Sequence, residues 1–451
     1  MILLNISEEF DDGSEFESWC ISQCNHPPLG VSLEGSFSDI RAADVHDDLY
    51  AHALVVDDGQ TEVVIVSVDV CSIPPAITQE IATLILRDCQ IPLDNILITA
   101  THTHTGPALD DEMMGGVFNI PPDYLSHFKK MVASTVRLAQ LRKQPVRLGA
   151  GKGTNAEFVF NRRLKKPDGS IVMNWINKEY LQDCVPSGVV DTEVGVIKFE
   201  NMAGQAVGMI VNYANHNNAF HDPVRGSVVI GADYAGVMRQ ELMKIYGSQV
   251  VILFMPGAAG NINWINHRAP EPFADNLYQH IGRSLAGTVL EIDARLEYFP
   301  APIISAYHRQ LSILERPSTE YDTKVDFTFG PPEHSTDFFD AYQKAAEKYA
   351  RSEPRSHPVN VNVIRFGEQV ALCSNPAELF VEFGLELKAK SPARYTLFAE
   401  LTNGAIGYVP TRQAFSEGGY EVRKLPGNSV LAVDAGDLII QTLLELLAIS
   451  K

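Results

Sequence analysis

Between Thr61 and Pro107 the chain reads as a buried strand, an amphipathic helix and a second strand that runs into two histidines. Thr61–Val70 (TEVVIVSVDV) is a near-continuous β-branched run, the pattern of a strand buried on both faces. Pro74 and Pro75 then open a stretch to Cys89 in which Ile77, Ile81, Leu84 and Ile85 recur at helical spacing. The apolar run Ile96-Leu97-Ile98-Thr99 leads into Ala100-Thr101-His102-Thr103-His104-Thr105-Gly106-Pro107-Ala108. Such a β-α-β unit has parallel strands and a right-handed crossover. A His-x-His ending a strand puts both imidazoles on one face, and Gly-Pro turns the chain away. Neutral imidazole is the commonest metal ligand, although solvent-satisfied surface histidines give the same pattern.

The arrangement recurs. Ala206–Tyr213 reads as a strand, Tyr234–Tyr246 as a helix and Val250–Met255 as a strand, with a loop at Gly257–Asn261 and a long helix at Pro272–Leu290. Further on, Val361–Phe366 and Gln369–Cys373 form a hairpin turning at Gly367-Glu368. A helix at Ala377–Lys388, a strand at Tyr395–Glu400 and a last helix at Ala435–Ile449 follow. The polar, proline-dotted stretch Glu315–Pro358, helical around Phe338–Tyr349, reads as a surface excursion, either a lid or an oligomer contact. The expected fold is one mixed α/β domain over residues 1–451, its sheet largely parallel with helices on both faces. Its site is expected in the crevice beyond the carboxyl ends of the strands.

Composition narrows the function classes. The formal charge of −20 disfavours nucleic acid and anionic membrane surfaces. No apolar run reaches the roughly 18–20 residues that span a bilayer. The start, MILLNISEEFDDGSEFES, lacks a basic region and a long apolar one, so it does not read as a secretory signal. Cysteines at 20, 24, 71, 89, 184 and 373 are scattered, and Cys20-x₃-Cys24 has no second pair nearby to complete a zinc site. Reduced thiols and a cytoplasmic location are expected.

Further ligands for a metal at His102 and His104 must come from other strand ends. His216 lies in the Asn-rich loop Tyr213–Asn218, where loop polarity alone also accounts for it. Glu378, in Ser374-Asn375-Pro376-Ala377-Glu378, falls in the expected first turn of a helix, where the dipole favours a carboxylate whether or not it has a further purpose. Ile406-Gly407-Tyr408-Val409-Pro410-Thr411 is a glycine–tyrosine turn after the Tyr395–Glu400 strand, ordinary as packing. Two histidines and a carboxylate with an open position make a hydrolytic zinc site, in which zinc polarises a carbonyl and generates hydroxide. Manganese and iron suit the same ligands.

At this point the chain resembles a known family. Ala100–Pro107 (ATHTHTGP) is similar to the ATHTHSGP signature of the neutral, non-lysosomal ceramidases. The resemblance continues through Leu49–Val56, Val66–Val70, Phe160-Asn161-Arg162, the His216 loop, Ala232–Gly236 and Pro376–Phe380. It ends at Tyr408–Thr411 with Gly419-Tyr420-Glu421 behind it, so that it spans about Leu29 to Glu421 in order. It implies zinc ligands at His102, His216, Glu378 and Tyr408, a second signature histidine at His104, an active-site arginine at Arg162 and a second tyrosine at Tyr420. Arg163 is the alternative to Arg162. The twelve-residue step from Tyr408 to Tyr420 matches the family's spacing.

Three departures shape the expectation. The family's GDVSPN-type segment is here Gly260-Asn261-Ile262-Asn263-Trp264-Ile265, so the serine once proposed as nucleophile is Asn263 and a serine acyl-enzyme there is excluded. Ceramidases also carry a C-terminal β-sandwich domain and are typically secreted or anchored, and the sequence reads as neither. The expected protein is therefore a cytoplasmic metal-dependent amidohydrolase, with one zinc per chain or another divalent metal. Its expected substrate is a small soluble N-acyl compound, with no nucleic acid or membrane partner and a homo-oligomer left open. His104, Arg162 and Tyr420 are the expected catalytic groups. A zinc-dependent ester or lactone hydrolase is the alternative, and a non-catalytic metal-binding relative is the alternative from another class.

Overall fold

The computed structural model describes residues 16–449 apart from 37, 112–116, 177, 221–227, 271–275, 300, 320–321, 323–342, 345 and 426. The first sheet contains, in chain order, β1 (Glu17–Cys24), β2 (Tyr50–Asp57), β3 (Glu62–Val68), β4 (Ile96–Ala100), β5 (Gln144–Thr154), β6 (Glu193–Asn201), β7 (Ala206–Tyr213), β8 (Val251–Pro256) and β9 (Glu297–Phe299). Across the sheet the order is β8-β7-β6-β5-β1-β2-β3-β4, with β9 pairing off β5. A second sheet contains β10 (Ile304–Leu314), β11 (Ser356–Phe366), β12 (Val370–Ser374) and β13 (Tyr395–Ala399), side by side in that order. The main helices are α1 (Pro75–Cys89), α2 (Pro122–Gln140), α3 (Asp233–Tyr246), α4 (Leu277–Asp293), α5 (Val381–Lys390) and α6 (Ala435–Leu447).

Strand alternation assembles these elements into four layers. Ala51, Ala53 and Val55 of β2 and Val64, Val66 and Val68 of β3 meet Ile81 and Ile85 of α1 and Phe128 and Val132 of α2. Their neighbours Leu54, Val56 and Ile65 point the other way, into a core with Ile364, Phe366, Leu372 and Leu397 of the second sheet. The period of two sends alternate residues to opposite faces, so a one-residue slip would exchange the two cores. Helices α3 and α4 cover β6–β8 through Met238, Leu242 and Leu285. Helices α5 and α6 cover the outer face of the second sheet through Phe383, Leu387, Ile439 and Leu443. The two sheets pack face to face, with helices outside each.

The mixed α/β fold is thus present, but two details differ from expectation. Each sheet carries helices on one face and the other sheet on the opposite face. Most pairings are antiparallel: within the two sheets, parallel pairing is confined to β3–β4, β7–β8 and β12–β13. A strand buried on both faces has the same apolar pattern whether a helix or another sheet covers it, and its partner's direction leaves no mark on that pattern. The three parallel pairs enclose α1, α3 and α5, so the expected β-α-β unit occurs three times.

The hairpin at Gly367 and the start of α1 at Pro75 are as expected. The expected start of the long helix at Pro272 lies outside the described residues. Of the 315–358 excursion, half of the expected helical stretch 338–349 also lies outside them, and its described residues 343–344 and 346–349 are helical. Its described flanks turn inward: Glu315 is fully buried, and Arg316 and Asp322 dock on the segment around Val422 and Lys424. No helix among the described residues is long and apolar enough to cross a membrane.

Candidate metal centre

The carboxyl ends of β4, β7 and β12, one strand from each parallel pair, converge on one buried spot. His102 follows β4, His216 follows β7 and Glu378 follows β12. One ligand atom from each lies within 4.8 Å of the other two, and all three residues are buried.

The histidine pair gets there by a turn and not by strand alternation. β4 ends at Ala100, and His102 adopts φ +63°, a left-handed conformation rare outside glycine. Its neighbours hold it there. The His102 amide donates to Val70 O (3.0 Å), and Thr101 Oγ1 donates to the buried Asp69 (3.1 Å). Thr103 and Thr105 both donate to Gly231 O, at 2.8 and 2.9 Å. The three threonines fasten the turn to the scaffold and leave the two imidazoles, with ring centroids 4.7 Å apart, toward the site.

Ring tautomers follow from their partners. His102 Nδ1 lies 2.9 Å from Cys71 O and His104 Nδ1 lies 3.0 Å from Gly35 O. A carbonyl only accepts, so each Nδ1 carries the proton and each Nε2 presents a lone pair. These two Nε2 atoms are 3.2 Å apart. His216 Nε2 takes a hydrogen bond from Arg162 Nη1 at 2.9 Å, so it too is unprotonated. Burial, with His102 and His216 alongside, pushes the His104 pKa well below its usual value.

Glu378 is positioned by an extended segment, correcting the expected helical turn. Helix α5 begins only at Val381, and Glu378–Leu379 pairs in parallel with Tyr408–Val409. The Glu378 amide donates to Gly407 O (3.0 Å) and is thereby drawn into that ribbon. Gly407 (φ +80°) has no room for a side chain, since a Cβ would overlap the Asn428 carbonyl. The ribbon also sets Glu378 and Tyr408 side by side in register.

The donor set fits a divalent ion. Glu378 Oε2 is buried without a hydrogen-bond partner, 3.6 Å from His102 Nε2 and 3.4 Å from His216 Nε2. A tetrahedral zinc with bonds of about 2.0–2.1 Å holds its ligand atoms about 3.3–3.4 Å apart. Backbone carbonyls fixing the far ring nitrogen are also what orients histidine ligands. A second grouping of Cys71, His102 and His104 shares His102, but burial pushes the Cys71 thiol well above its usual pKa, which makes it a poor ligand.

Around this centre Arg162 is enclosed by aromatic rings. Its guanidinium carbon lies 5.0 Å from the Tyr408 ring centroid, 5.4 Å from Trp175 and 5.9 Å from Tyr420. Tyr420 packs edge-on against Tyr408 (5.8 Å) and Trp175 (5.7 Å). Burial works against the Arg162 charge, but Tyr408 and Glu421 outweigh it and raise its pKa. Arg162 and Arg163 share the fully buried Glu421, Arg162 Nε on one oxygen (2.8 Å) and Arg163 Nη1 on the other (2.7 Å). Only Arg162 also reaches His216; Arg163 turns to Gly418 O (2.7 Å). All seven expected site residues therefore cluster, and Arg162 is the arginine that faces the histidines.

Sequence reasoning left four groups without a role. Glu421 stood beside Tyr420 in the quoted motif, and its burial between two arginines was the missing cue. Trp175, Asn174 and the buried Glu400 (Oε2 accepting from the Ala259 amide at 3.1 Å) sit in segments without a motif. Asn263 carries no nucleophile and is wholly engaged in hydrogen bonds to Asn174 and Ile265.

Comparison with known proteins finds one family model and two solved structures that parts or all of this chain resemble. Residues 33–242, which include His102, His104, Arg162 and His216, match the N-terminal model of the neutral/alkaline non-lysosomal ceramidases. The fold matches the crystal structure of neutral ceramidase from Pseudomonas aeruginosa, with a TM-score of 0.74 and 18% identity over 97% of this chain and 74% of that one. A ceramidase complexed with C2 matches with a TM-score of 0.75 and 18% identity, over 96% of this chain and 75% of the other. Over residues 33–242 the chain is thus similar to the neutral/alkaline non-lysosomal ceramidases, and its fold is the one seen in the neutral ceramidase structure.

Proposed function

We propose that this chain is a metal-dependent amidohydrolase that cleaves a linear N-acyl amide bond with water, using zinc held by His102, His216, Glu378 and Tyr408. The observation that carries the reading is the convergence of His102 Nε2, His216 Nε2 and Glu378 Oε2, buried, with two imidazole lone pairs and a carboxylate oxygen lacking a hydrogen-bond donor of its own. A divalent ion bound there supplies Lewis acidity toward the carbonyl and lowers the pKa of water to near 7. His104, with its Nδ1–H fixed on Gly35 O, has its Nε2 lone pair ready to take a proton from the attacking water and pass it to the leaving amine. Tyr420 donates to the developing oxyanion, and Arg162 adds a fixed positive charge beside it. Glu421 anchors Arg162 from behind, and the Trp175, Tyr408 and Tyr420 rings shield it from water.

The reading extends to one domain over the whole chain, supported by the core shared between the two sheets. It extends also to a cytoplasmic location and a small soluble substrate. All six cysteines are free thiols, which suits a reducing compartment. The net charge of −20 disfavours approach to an anionic membrane.

The test is elemental analysis of the purified protein followed by a screen of N-acyl amides against matched esters. One bound divalent metal and turnover of the amide are expected. A protein that binds no metal would overturn the reading, and turnover of esters alone would move it to an ester hydrolase.

A further inference from the structure

Four buried asparagines surround the backbone of Arg162. The Arg162 amide donates to Asn261 O (2.9 Å), and the Asn174 amide donates to Arg162 O (2.8 Å). Asn161–Phe160 and Ile262–Asn263 pair as a short antiparallel ribbon, so Asn261 and Asn263 flank the residue paired with Asn161. Three separate segments therefore meet at Arg162, and a reciprocal amide pair joins two of them. Asn174 Nδ2 donates to Asn263 Oδ1 (2.7 Å), and Asn263 Nδ2 donates back to Asn174 Oδ1 (2.8 Å). The pair is closed off by Asn174 Nδ2 to Ile265 O (2.8 Å) and by the Ile265 amide to Asn263 Oδ1 (3.1 Å). Asn161, Asn174, Asn261 and Asn263 are each no more than 3% exposed.

Every polar atom of the Asn174 and Asn263 side chains thus has a partner, away from the metal-binding atoms. A buried, fully satisfied amide pair fixes a single arrangement, because any shift leaves buried polar groups unpaired. What it fixes is specific. One strand-like link from Asn174 runs to Arg162, and the next residue, Trp175, lies over the Arg162 guanidinium and against Tyr420.

We infer that the Asn174–Asn263 pair positions Arg162 and Trp175 for reaction, acting through Arg162 and not by touching substrate. This rests on the hydrolase reading above, in which Arg162 faces the reacting carbonyl. Asn263 is then a positioning residue at the place where a serine nucleophile was once sought.

The test uses the full, metal-loaded chain as Asn263→Ala, Asn174→Ala and the double variant, each also combined with Arg162→Met. Turnover of an octanoyl anilide, metal content and backbone hydrogen exchange are measured. Each single change is expected to lower kcat about tenfold with KM within about twofold, and the double no further than either single. In the Arg162→Met background the asparagine changes should lower kcat no further. Exchange should accelerate in peptides holding Arg162 and Asn174, while metal content and the peptides holding His102 and His216 stay unchanged. An equal tenfold loss in the Arg162→Met background, or unchanged exchange at Arg162 and Asn174, would overturn the inference. If the unaltered protein binds metal but leaves the anilide intact, the substrate reading fails and the exchange result alone decides the positioning. Asn263→Asp keeps both accepted hydrogen bonds and replaces the alanine variant should that not fold.

Discussion

Arg162 Nη1 lies 2.9 Å from His216 Nε2 and donates into the one lone pair that this nitrogen has for a metal. A ring nitrogen cannot serve a guanidinium and an ion at once. Loading the site must therefore displace this hydrogen bond, and Arg162 competes with the ion for His216. A hydrogen bond to a charged group is worth about 1.5–3 kcal/mol, so Arg162→Met should tighten divalent-metal binding by about ten- to a hundredfold. Competition titration against a chromophoric chelator reads this directly. Unchanged or weaker affinity would mean that the guanidinium leaves His216 at no cost.

Tyr420→Phe should cut kcat by about 10²–10³, the usual effect of removing one oxyanion donor. The phenylalanine ring retains the edge contacts with Tyr408 and Trp175, so the melting temperature should hardly move. A variant with near-normal kcat would take Tyr420 out of the mechanism.

His102 combines a metal-facing ring with φ +63°, which permits a two-part test. His102→Ala and His102→Gly should both abolish metal loading, measured by elemental analysis. In the metal-free state the glycine variant should be the more stable by about 1–2 kcal/mol, because alanine keeps the left-handed strain and glycine does not. Equal stabilities in urea titration would show that the turn carries no strain.

Much of this site was legible because its residues sit at strand ends, where a break in apolar periodicity exposes the polar residue that follows. His102, His104 and His216 stood out in that way. Glu378 was found for the wrong local reason: the apolar run after Pro376 has a helical period, but the Glu378 amide is taken by Gly407 O and the helix starts three residues later. Hydrogen bonding from another segment decides such a boundary, and a local pattern does not record it. The same limit applies to the sheets. Val63 and Val64 look alike in sequence, yet one faces the second sheet and the other faces α1 and α2. Glu421 and Asn174 were illegible because their roles depend on partners far along the chain.

Behind the histidine turn, Asp69 is fully buried and accepts from Arg239 Nη2 (2.6 Å), Thr101 Oγ1 (3.1 Å) and the Tyr50 amide (3.0 Å). Asp69→Asn keeps the shape but leaves the buried Arg239 charge uncompensated, a loss of about 3–5 kcal/mol. Adding Arg239→Met should recover most of it. Urea unfolding of the two singles and the double tests this, and simple additivity would show that the pair is not energetically coupled.

Acid stability should depend on the flanks of the 315–358 segment. Asp322 accepts from Arg316 through both oxygens (2.8 and 2.7 Å) and from the Lys424 amide (2.7 Å). Burial would raise its pKa, but Arg316 and the backbone donors outweigh burial and pull it from 3.8 to about 2. Glu315 is likewise drawn from 4.5 to about 2, where Tyr349, His357 and Lys424 outweigh burial. A carboxylate whose folded pKa is depressed stabilises the fold above its unfolded pKa, and that stability is lost as pH falls through the folded value. The loss should therefore fall between about pH 4.5 and pH 2 and be absent at neutral pH. Asp322→Asn should lower the melting temperature at pH 7 and flatten its decline across that acid window. A variant that melts lower at pH 7 but declines as steeply as the parent would place the acid sensitivity elsewhere, because the substituted amide does not titrate and Arg316 stays charged throughout.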